Sequence, residues 1–267
     1  MATTKKVTRV SGGSSESNNT FVPTAEAKGR ASKLRLFSIL LWILAIGAEA
    51  GAILIFLKAT FPLDKATWIW LIALIVVDLI LVIIGSSLWK KANRLDPASK
   101  KDSVRFFIQN QLGVIISVIA FLPLVILIFT NKDMDGKSKG ILGGIVALAL
   151  IISGLFSADF NPPSVEEYTQ QTSQVVELTG QNFVFWTKHG TRFHLYDNCS
   201  HINTSKTDEI LEGTVAQARE LKNITELCKT CENRAVKANA LNVAGQKSIE
   251  LGTESEHDHD HDHSESD

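Results

Sequence analysis

The stretch ATWIWLIALIVVDLILVIIGSSL, residues 66–88, is mostly apolar and carries a single charged side chain, Asp78. The hydrocarbon core of a bilayer is about 30 Å thick, and roughly twenty helical residues cross it. A helix that is apolar on every face must be covered by the interior of a large protein or by lipid. Residues 66–88 therefore predict a transmembrane helix, with a buried helix of a soluble protein as the alternative.

Three more segments have this character, at residues 36–57, 106–129 and 140–156. The first is longer than the roughly 7 to 15 apolar residues of a signal peptide, and it follows a polar tail. Short connections between neighbouring spans make them antiparallel. We therefore expect an α-helical integral membrane protein, in which residues 34–157 form a four-helix domain of up-down-up-down topology in the lipid bilayer.

The basic residues near the ends of these spans predict the orientation of the chain. Lysine and arginine favour the cytoplasmic side of a membrane. They are concentrated before the first span and between the second and third spans: Lys28, Arg30, Lys33, Arg35, Lys90, Lys91, Arg94, Lys100, Lys101 and Arg105. The other two loops have fewer. The pattern predicts a multi-pass protein of the cell membrane whose N-terminus and C-terminus are both cytoplasmic.

The regions outside the membrane domain differ in composition. Residues 1–33 are basic and polar, with too few apolar side chains to fold alone, and they are predicted to be a disordered tail. Residues 158–175 contain a Pro pair and many polar residues, which is typical of a linker. Residues 176–240 are expected to form a small α+β cytoplasmic module. Residues 241–267 are predicted to be a disordered acidic tail rich in His and Asp.

Local patterns predict the secondary structure of this module. FVFWT and TRFHL flank KHG, which favours a β-hairpin that turns at Gly190. EGTVAQARELKN has apolar residues at helical spacing, with Thr214 as the N-terminal cap and Asn223 near the end. The stretch CKTCENRAVKANAL is expected to begin a second short helix.

All three cysteines of the chain belong to one candidate metal site. His194 and Cys199 are followed later by the CxxC pair Cys228 and Cys231, and the four side chains would complete a structural zinc site. Thiols stay reduced in the cytoplasm, which favours metal binding over disulfides. The alternative is packing cysteines with a surface histidine. A catalytic His194–Cys199 pair is disfavoured because a zinc-bound thiolate is no free nucleophile, and a catalytic zinc because it keeps a water ligand.

The sequence VFWTKHGTRFHLYDNCSHI, continued by TVAQARELKNITELCKTC, resembles the small zinc-binding module related to the metal-binding domain of Ada-type DNA repair proteins. That module is appended to some bacterial nucleases and membrane proteins. The shared pattern comprises Phe185, Thr187, Gly190, Phe193, His194, Cys199, Ala218, Cys228 and Cys231. The resemblance implies a bacterial protein that binds structural Zn2+ through the histidine and the three cysteines. Leu227 and Asn223 depart from the pattern, which often has Pro and Gly there.

Two further groups of titratable residues are candidate sites. Glu49 and Asp78 lie near the middle of the first two spans, where an ionisable side chain is costly unless it faces the bundle interior. They are either hydrogen-bonded structural acids or part of a proton or cation path. Gly47 and Gly51 flank Glu49 with a GxxxG spacing that favours a close helix neighbour. The C-terminal tail has histidines that are expected to bind transition metals weakly: His257, His259, His261 and His263.

The expected function is non-enzymatic, since the sequence has no HExxH motif and no paired-carboxylate metal site. The favoured hypothesis is a membrane anchor that presents the zinc module to a cytoplasmic protein or nucleic acid. The alternative is a metal-ion or proton transport or homeostasis protein that uses Glu49 and Asp78, with the histidine tail as a metal collector. A transporter with four short spans is expected to be a homo-oligomer.

Overall fold

The computed structural model describes residues 6–10, 21–222 and 224–254, the last thirteen of them by their backbone only. The chain divides into two compact units. One unit is Phe21–Tyr168, and the other combines the chain before Phe21 with the chain from Thr169 onward. The described residues before the bundle, 6–10, therefore fold with residues that follow it.

The first unit, which we call the bundle, contains the four helices of the described chain that are long and apolar enough to cross a membrane. They are α1 (Ala25–Lys58), α2 (Lys65–Leu95), α3 (Ser103–Thr130) and α4 (Gly136–Ser157). Helix α1 packs mainly against α2, and α3 packs mainly against α4. Each predicted span lies within one of these helices, so the prediction of four membrane-length helices is confirmed.

The surface of the bundle is apolar. Large hydrophobic side chains are exposed on all four helices, among them Phe37, Trp70, Phe107 and Leu155. Several polar side chains are instead buried inside: Ser38, Ser86, Asn93, Asn110, Ser117, Ser153 and Ser157. A soluble protein rarely exposes so continuous an apolar surface, and lipid is the environment that matches it.

Helix α1 begins earlier than the sequence predicts. The disordered tail predicted for residues 1–33 is wrong from Ala25 onward, because those residues are helical. Thr24 caps the helix by accepting a hydrogen bond from the Ala27 amide at 3.1 Å. Ala27 and Ala31 are fully buried one helical turn apart, so this polar segment also has a packed face.

The predicted linker of residues 158–175 also contains helix, since α5 spans Val165–Thr179. Ser164 Oγ accepts a hydrogen bond from the Glu167 amide at 3.1 Å. The S-x-x-E spacing of Ser164 and Glu167 is a capping-box pattern, which the sequence reading overlooked. The linker is therefore limited to the residues between α4 and α5.

The described part of the second unit, which we call the module, contains a three-stranded and a two-stranded sheet. Its strands are β1 (Lys6–Arg9), β2 (Val184–Thr187), β3 (Arg192–Phe193), β4 (Glu209–Gly213) and β5 (Glu226–Leu227). The larger sheet has the order β1-β4-β2, with β1 parallel and β2 antiparallel to β4. Strands β3 and β5 pair in parallel.

The predicted hairpin is smaller than expected. Its two arms meet only at Phe185 and His194, whose backbone N–H groups each donate to the other's carbonyl at 2.7 Å. The long partner of β2 is β4, a strand that the sequence reading missed. The turn is where it was predicted, since the Gly190 amide donates to the Thr187 carbonyl at 3.1 Å. A Cβ added at Gly190 would lie 2.8 Å from Thr187 Oγ1, so this close approach favours glycine.

The module also contains α6 (Val215–Lys222) and α7 (Lys229–Glu254). The predicted cap Thr214 is confirmed. Thr214 Oγ1 accepts a hydrogen bond from the Gln217 amide at 3.2 Å, and Gln217 Oε1 accepts one from the Thr214 amide at 2.9 Å. Helix α7 continues to Glu254, so the disordered tail predicted from residue 241 is wrong up to that point. The tail histidines and Asn223 lie outside the described residues.

Strand β1 comes from the segment that was predicted to be a disordered tail, and this prediction is wrong for Lys6–Arg9. The Val10 amide donates to the Glu212 carbonyl at 2.8 Å, and Arg9 pairs with the Glu212 carboxylate at 2.9 Å. The chain enters the bundle after β1 and leaves it before β4. If all four long helices cross a membrane, both flanks of the bundle therefore lie on the same side.

Candidate metal centre

Four side chains of the module converge on one point. The ligand atoms of His194, Cys199, Cys228 and Cys231 all lie within 4.8 Å of one another. All four residues are buried, and the three cysteines are free thiols. Tetrahedral coordination with Zn–S bonds of about 2.3 Å places neighbouring sulfurs about 3.8 Å apart. His194 Nδ1 lies 3.7 Å from Cys231 Sγ, so these four residues could hold a metal ion with little rearrangement.

The pairing of β3 with β5 brings two of the ligands together. Phe193 is in register with Leu227, and the residues that directly follow the two strands are His194 and Cys228. The Cys228 amide donates to the Phe193 carbonyl at 2.9 Å, which extends the pairing by one hydrogen bond. Two ligands that are distant in sequence thus become neighbours because their strands are parallel and end at the same level.

The other two ligands are positioned by a turn and a helix. The Cys199 amide donates to the Tyr196 carbonyl at 3.3 Å, and its own carbonyl accepts from the Ile202 and Asn203 amides at 3.0 and 2.8 Å. Cys231 lies in the first turn of α7. Residues three positions apart lie on the same face of a helix, so Cys231 faces the same way as Cys228.

Burial changes the protonation of the candidate ligands, and the change at His194 suits metal binding. Burial, with smaller contributions from His201 and Arg192, lowers the pKa of His194 to about 4, so the imidazole is neutral at pH 7 and can act as a ligand. Burial raises the pKa of Cys231 to about 12. Burial also acts against the Cys228 thiolate, but the Cys231 and Thr230 amides donate to its sulfur and the net shift of its pKa is downward. A metal ion would displace the thiol protons that burial retains.

The centre is continuous with the hydrophobic core of the module. The three cysteines belong to the same buried cluster as Trp186, Phe193 and Ile210. The two other histidines of this region, His189 and His201, are exposed. His201 Nε2 lies 3.1 Å from Thr230 Oγ1 instead of facing the sulfurs.

Glu49 and Asp78 are both buried in the bundle, with exposures of 5% and 1%. Glu49 Oε1 accepts a hydrogen bond from the Leu124 amide at 3.1 Å. Leu124 follows Pro123, which has no N–H and interrupts the hydrogen bonding of α3, so Glu49 links α1 to an irregular point of another helix. Within the described part of the chain, neither carboxyl oxygen of Asp78 has a hydrogen-bond partner.

The glycines beside Glu49 do not mediate a close helix contact. A Cβ added at Gly47 would meet nothing within 4 Å, and one added at Gly51 would lie 3.8 Å from Leu74. The predicted GxxxG contact is therefore wrong within the described chain. Close packing occurs at other glycines, such as Gly113, where an added Cβ would lie 2.9 Å from Ser86 Oγ.

Comparisons of the chain with protein-family models, with curated proteins and with solved structures found no match. The resemblance to the Ada-like zinc module therefore remains a prediction from the residue pattern.

Proposed function

We propose that this chain is a multi-pass membrane protein that presents a zinc-binding module to the cytoplasm, where the module binds a protein or a nucleic acid. The observation that carries the proposal is the convergence of four buried ligand side chains in the unit that contains both flanks of the four long helices. Three thiolates and one imidazole form a donor set that suits zinc. The resemblance to the Ada-like module supports the same ligands.

The proposed role of the zinc is structural. Four protein ligands complete a tetrahedron and leave no position for a reacting water. The strands of the module have two to five residues, so its sheets are too short to be stable without further links. A metal ion bound to the β3–β5 pair, the Cys199 turn and α7 would hold these elements together. We therefore propose a binding function and no catalysis.

The metal proposal is tested on the full-length protein purified in detergent. Metal analysis is expected to find one Zn2+ per chain, and a Cys231→Ser variant is expected to lose it. A truncated chain that ends at residue 254, and so lacks the histidine tail, controls for metal held by that tail. Zinc that disappears with the tail but persists in Cys231→Ser would overturn the proposal.

The cytoplasmic location is tested by reporter fusions after residues 61, 96, 135 and 170. The distribution of Lys and Arg predicts the order outside, inside, outside, inside. The β1–β4 pairing requires only that the two flanks share a side. A fully inverted order would therefore preserve the fold but contradict a cytoplasmic partner, and any other order contradicts four spans.

A second candidate function is the handling of protons or cations, and Asp78 favours it. A buried carboxylate without a hydrogen-bond partner is unstable in an apolar interior, so this group must hold a proton or a cation. Proton flux in liposomes containing the protein would test this role, with Asp78→Asn and Glu49→Gln as variants that keep size and hydrogen bonding. Proton flux that is lost in either folded variant would favour transport over anchoring. No proton flux in the unmodified protein would exclude proton transport.

A further inference from the structure

A cavity of about 280 Å³ lies beside the metal centre, within the module. Its walls are the β2–β3 turn, the segment around His201 and the first residues of α7. The side chains that could bind a ligand are basic or carry a hydroxyl group: Thr187, His189, Thr191, Arg192, His201, Lys229 and Thr230. Among the described residues that line the cavity, none is acidic. The lining therefore favours an anion.

His194 connects this cavity to the metal centre. It lines the cavity, although only 4% of its surface is exposed. Its Nδ1 faces Cys231 Sγ, and its Nε2 has no acceptor among the described residues. A histidine that binds a metal through one ring nitrogen carries a proton on the other, and this N–H usually donates to an acceptor. A ligand in the cavity would supply that acceptor.

The charges around the cavity favour an anion even with zinc bound. A Zn2+ ion with three thiolates has a net charge of about −1. Arg192 and Lys229 oppose it, and the N-terminus of the 26-residue helix α7 adds a positive dipole end. Arg192 donates from Nε to Glu226 at 3.0 Å, but both side chains of this pair are exposed. The other N–H groups of the guanidinium are free of this bond and remain donors.

We propose that this cavity binds a small phosphoryl-type oxyanion through Arg192, Lys229 and the second ring N–H of metal-bound His194. Pockets for drug-sized ligands start at about 300 Å³, so the cavity lies near the lower end of that range and has room for a phosphate group. That group is either free phosphate or the terminal phosphate of a larger molecule. The proposal rests on the proposed function in one respect, because the role of His194 requires bound metal.

Calorimetric titration of the full-length, zinc-loaded protein in phosphate-free detergent buffer tests the proposal, with inorganic phosphate as the probe. We expect saturable binding that weakens as the salt concentration rises. Arg192→Gln and Lys229→Gln should each raise the Kd about tenfold, because each removes a charged hydrogen-bond donor. Lys206→Gln changes an exposed lysine outside the cavity and should leave the Kd unchanged. Glu226→Gln should preserve or lower the Kd, because it releases Arg192 from its ion pair.

The same samples are analysed for zinc, so that the two proposals fail separately. Bound zinc without phosphate binding overturns the anion site and leaves the metal site intact. Phosphate binding that survives zinc removal but is lost in Lys229→Gln supports an anion site in the cavity. It overturns the proposed contact between the anion and metal-bound His194. An equal loss in Lys206→Gln shows a general charge effect and overturns the proposal. A titration with a nucleoside 5′-monophosphate separates the sources, since tighter binding than that of phosphate indicates a terminal phosphate.

Discussion

The bundle and the module are stabilised in opposite ways. The helices of the bundle span 22 to 34 residues and satisfy most of their backbone hydrogen bonds within the helix, apart from the point near Pro123 in α3. The module instead depends on short strands that pair with distant parts of the chain, and its ligands come from positions 194 to 231. Loss of a single link, such as one metal ligand, is therefore expected to destabilise the module more than a single substitution destabilises the bundle. The two units are expected to unfold separately.

The largest effect is expected from loss of the metal. Zinc binding to sites of this type provides about 10 kcal/mol or more of apparent free energy, which becomes folding free energy when the metal-free site is disordered. Cys228→Ser, or chelation of the unmodified protein, should therefore unfold the module while the bundle keeps its helices. Metal analysis measures the loss of zinc, limited proteolysis measures the unfolding of the module, and circular dichroism in detergent measures the helices that the bundle keeps.

The matched control for this change is His201→Ala. His201 is exposed and contacts Thr230, so its removal should affect neither zinc content nor protease resistance of the module. If Cys228→Ser retained zinc, or if chelation also melted the bundle helices, the contrast between the two units would be lost.

A smaller effect is expected from Glu49, which gives the bundle its own buried polar link. Glu49→Leu leaves the Leu124 amide without its side-chain acceptor and should cost about 1–3 kcal/mol of bundle stability. Glu49→Gln keeps an acceptor oxygen and should be close to the unmodified protein. Thermal unfolding of both variants in the same detergent provides the measurement, and equal stability of the two would show that the Leu124 bond does not matter.

The loss of bundle stability expected from a substitution at Gly113, which is closely packed, is comparable to that of Glu49→Leu or smaller. A Cβ there would lie 3.2 Å from the Cβ atoms of Ser86 and Ser157, which belong to two other helices and cannot both move aside. Gly113→Ala should therefore destabilise the bundle by about 1–2 kcal/mol. Gly144→Ala is the control, because nothing lies within 4 Å of its added Cβ and helix propensity alone should stabilise it slightly. A reversed order of the two melting temperatures would contradict this packing.

The smallest effect is expected at the edge of the module sheet. Arg9→Gln removes an ion pair in which the arginine is 67% exposed, and such pairs contribute about 0–1 kcal/mol. The backbone pairing of β1 with β4 remains. Hydrogen exchange of the β4 amides should therefore change little, whereas deletion of residues 2–10 should increase it clearly. Identical exchange in the deletion variant would show that β1 does not protect β4.

Several elements of the fold were predictable because their signals are local. The four long helices follow from long, mostly apolar runs, and the start of α6 follows from the T-x-x-Q spacing of Thr214 and Gln217. The start of α5 had an equally local signal in Ser164 and Glu167, which the polar composition of the region obscured. That these four side chains lie close together was predictable because three cysteines and a suitably spaced histidine leave few combinations.

Strand β1 shows what a local reading cannot predict. Lys6–Arg9 has little apolar character and is mostly exposed, and it forms a strand only because the edge of β4 offers hydrogen-bond partners. The same holds for Glu49, since nothing near it in the sequence indicates that the Leu124 amide needs an acceptor. These features depend on residues roughly 75 to 200 positions away.

The sequence by itself determined the four apolar helices and the set of four candidate ligand side chains, because both depend on residue type and short-range spacing. Only the tertiary structure decided that the ligands meet, since the parallel pairing of β3 and β5 aligns His194 with Cys228 across the intervening chain. It also decided that Lys6–Arg9 join the module, and that Asp78 is buried without a partner among the described residues while Glu49 has one. Each of these depends on which distant groups become neighbours, and hydrogen bonding and burial act only between groups that are in contact.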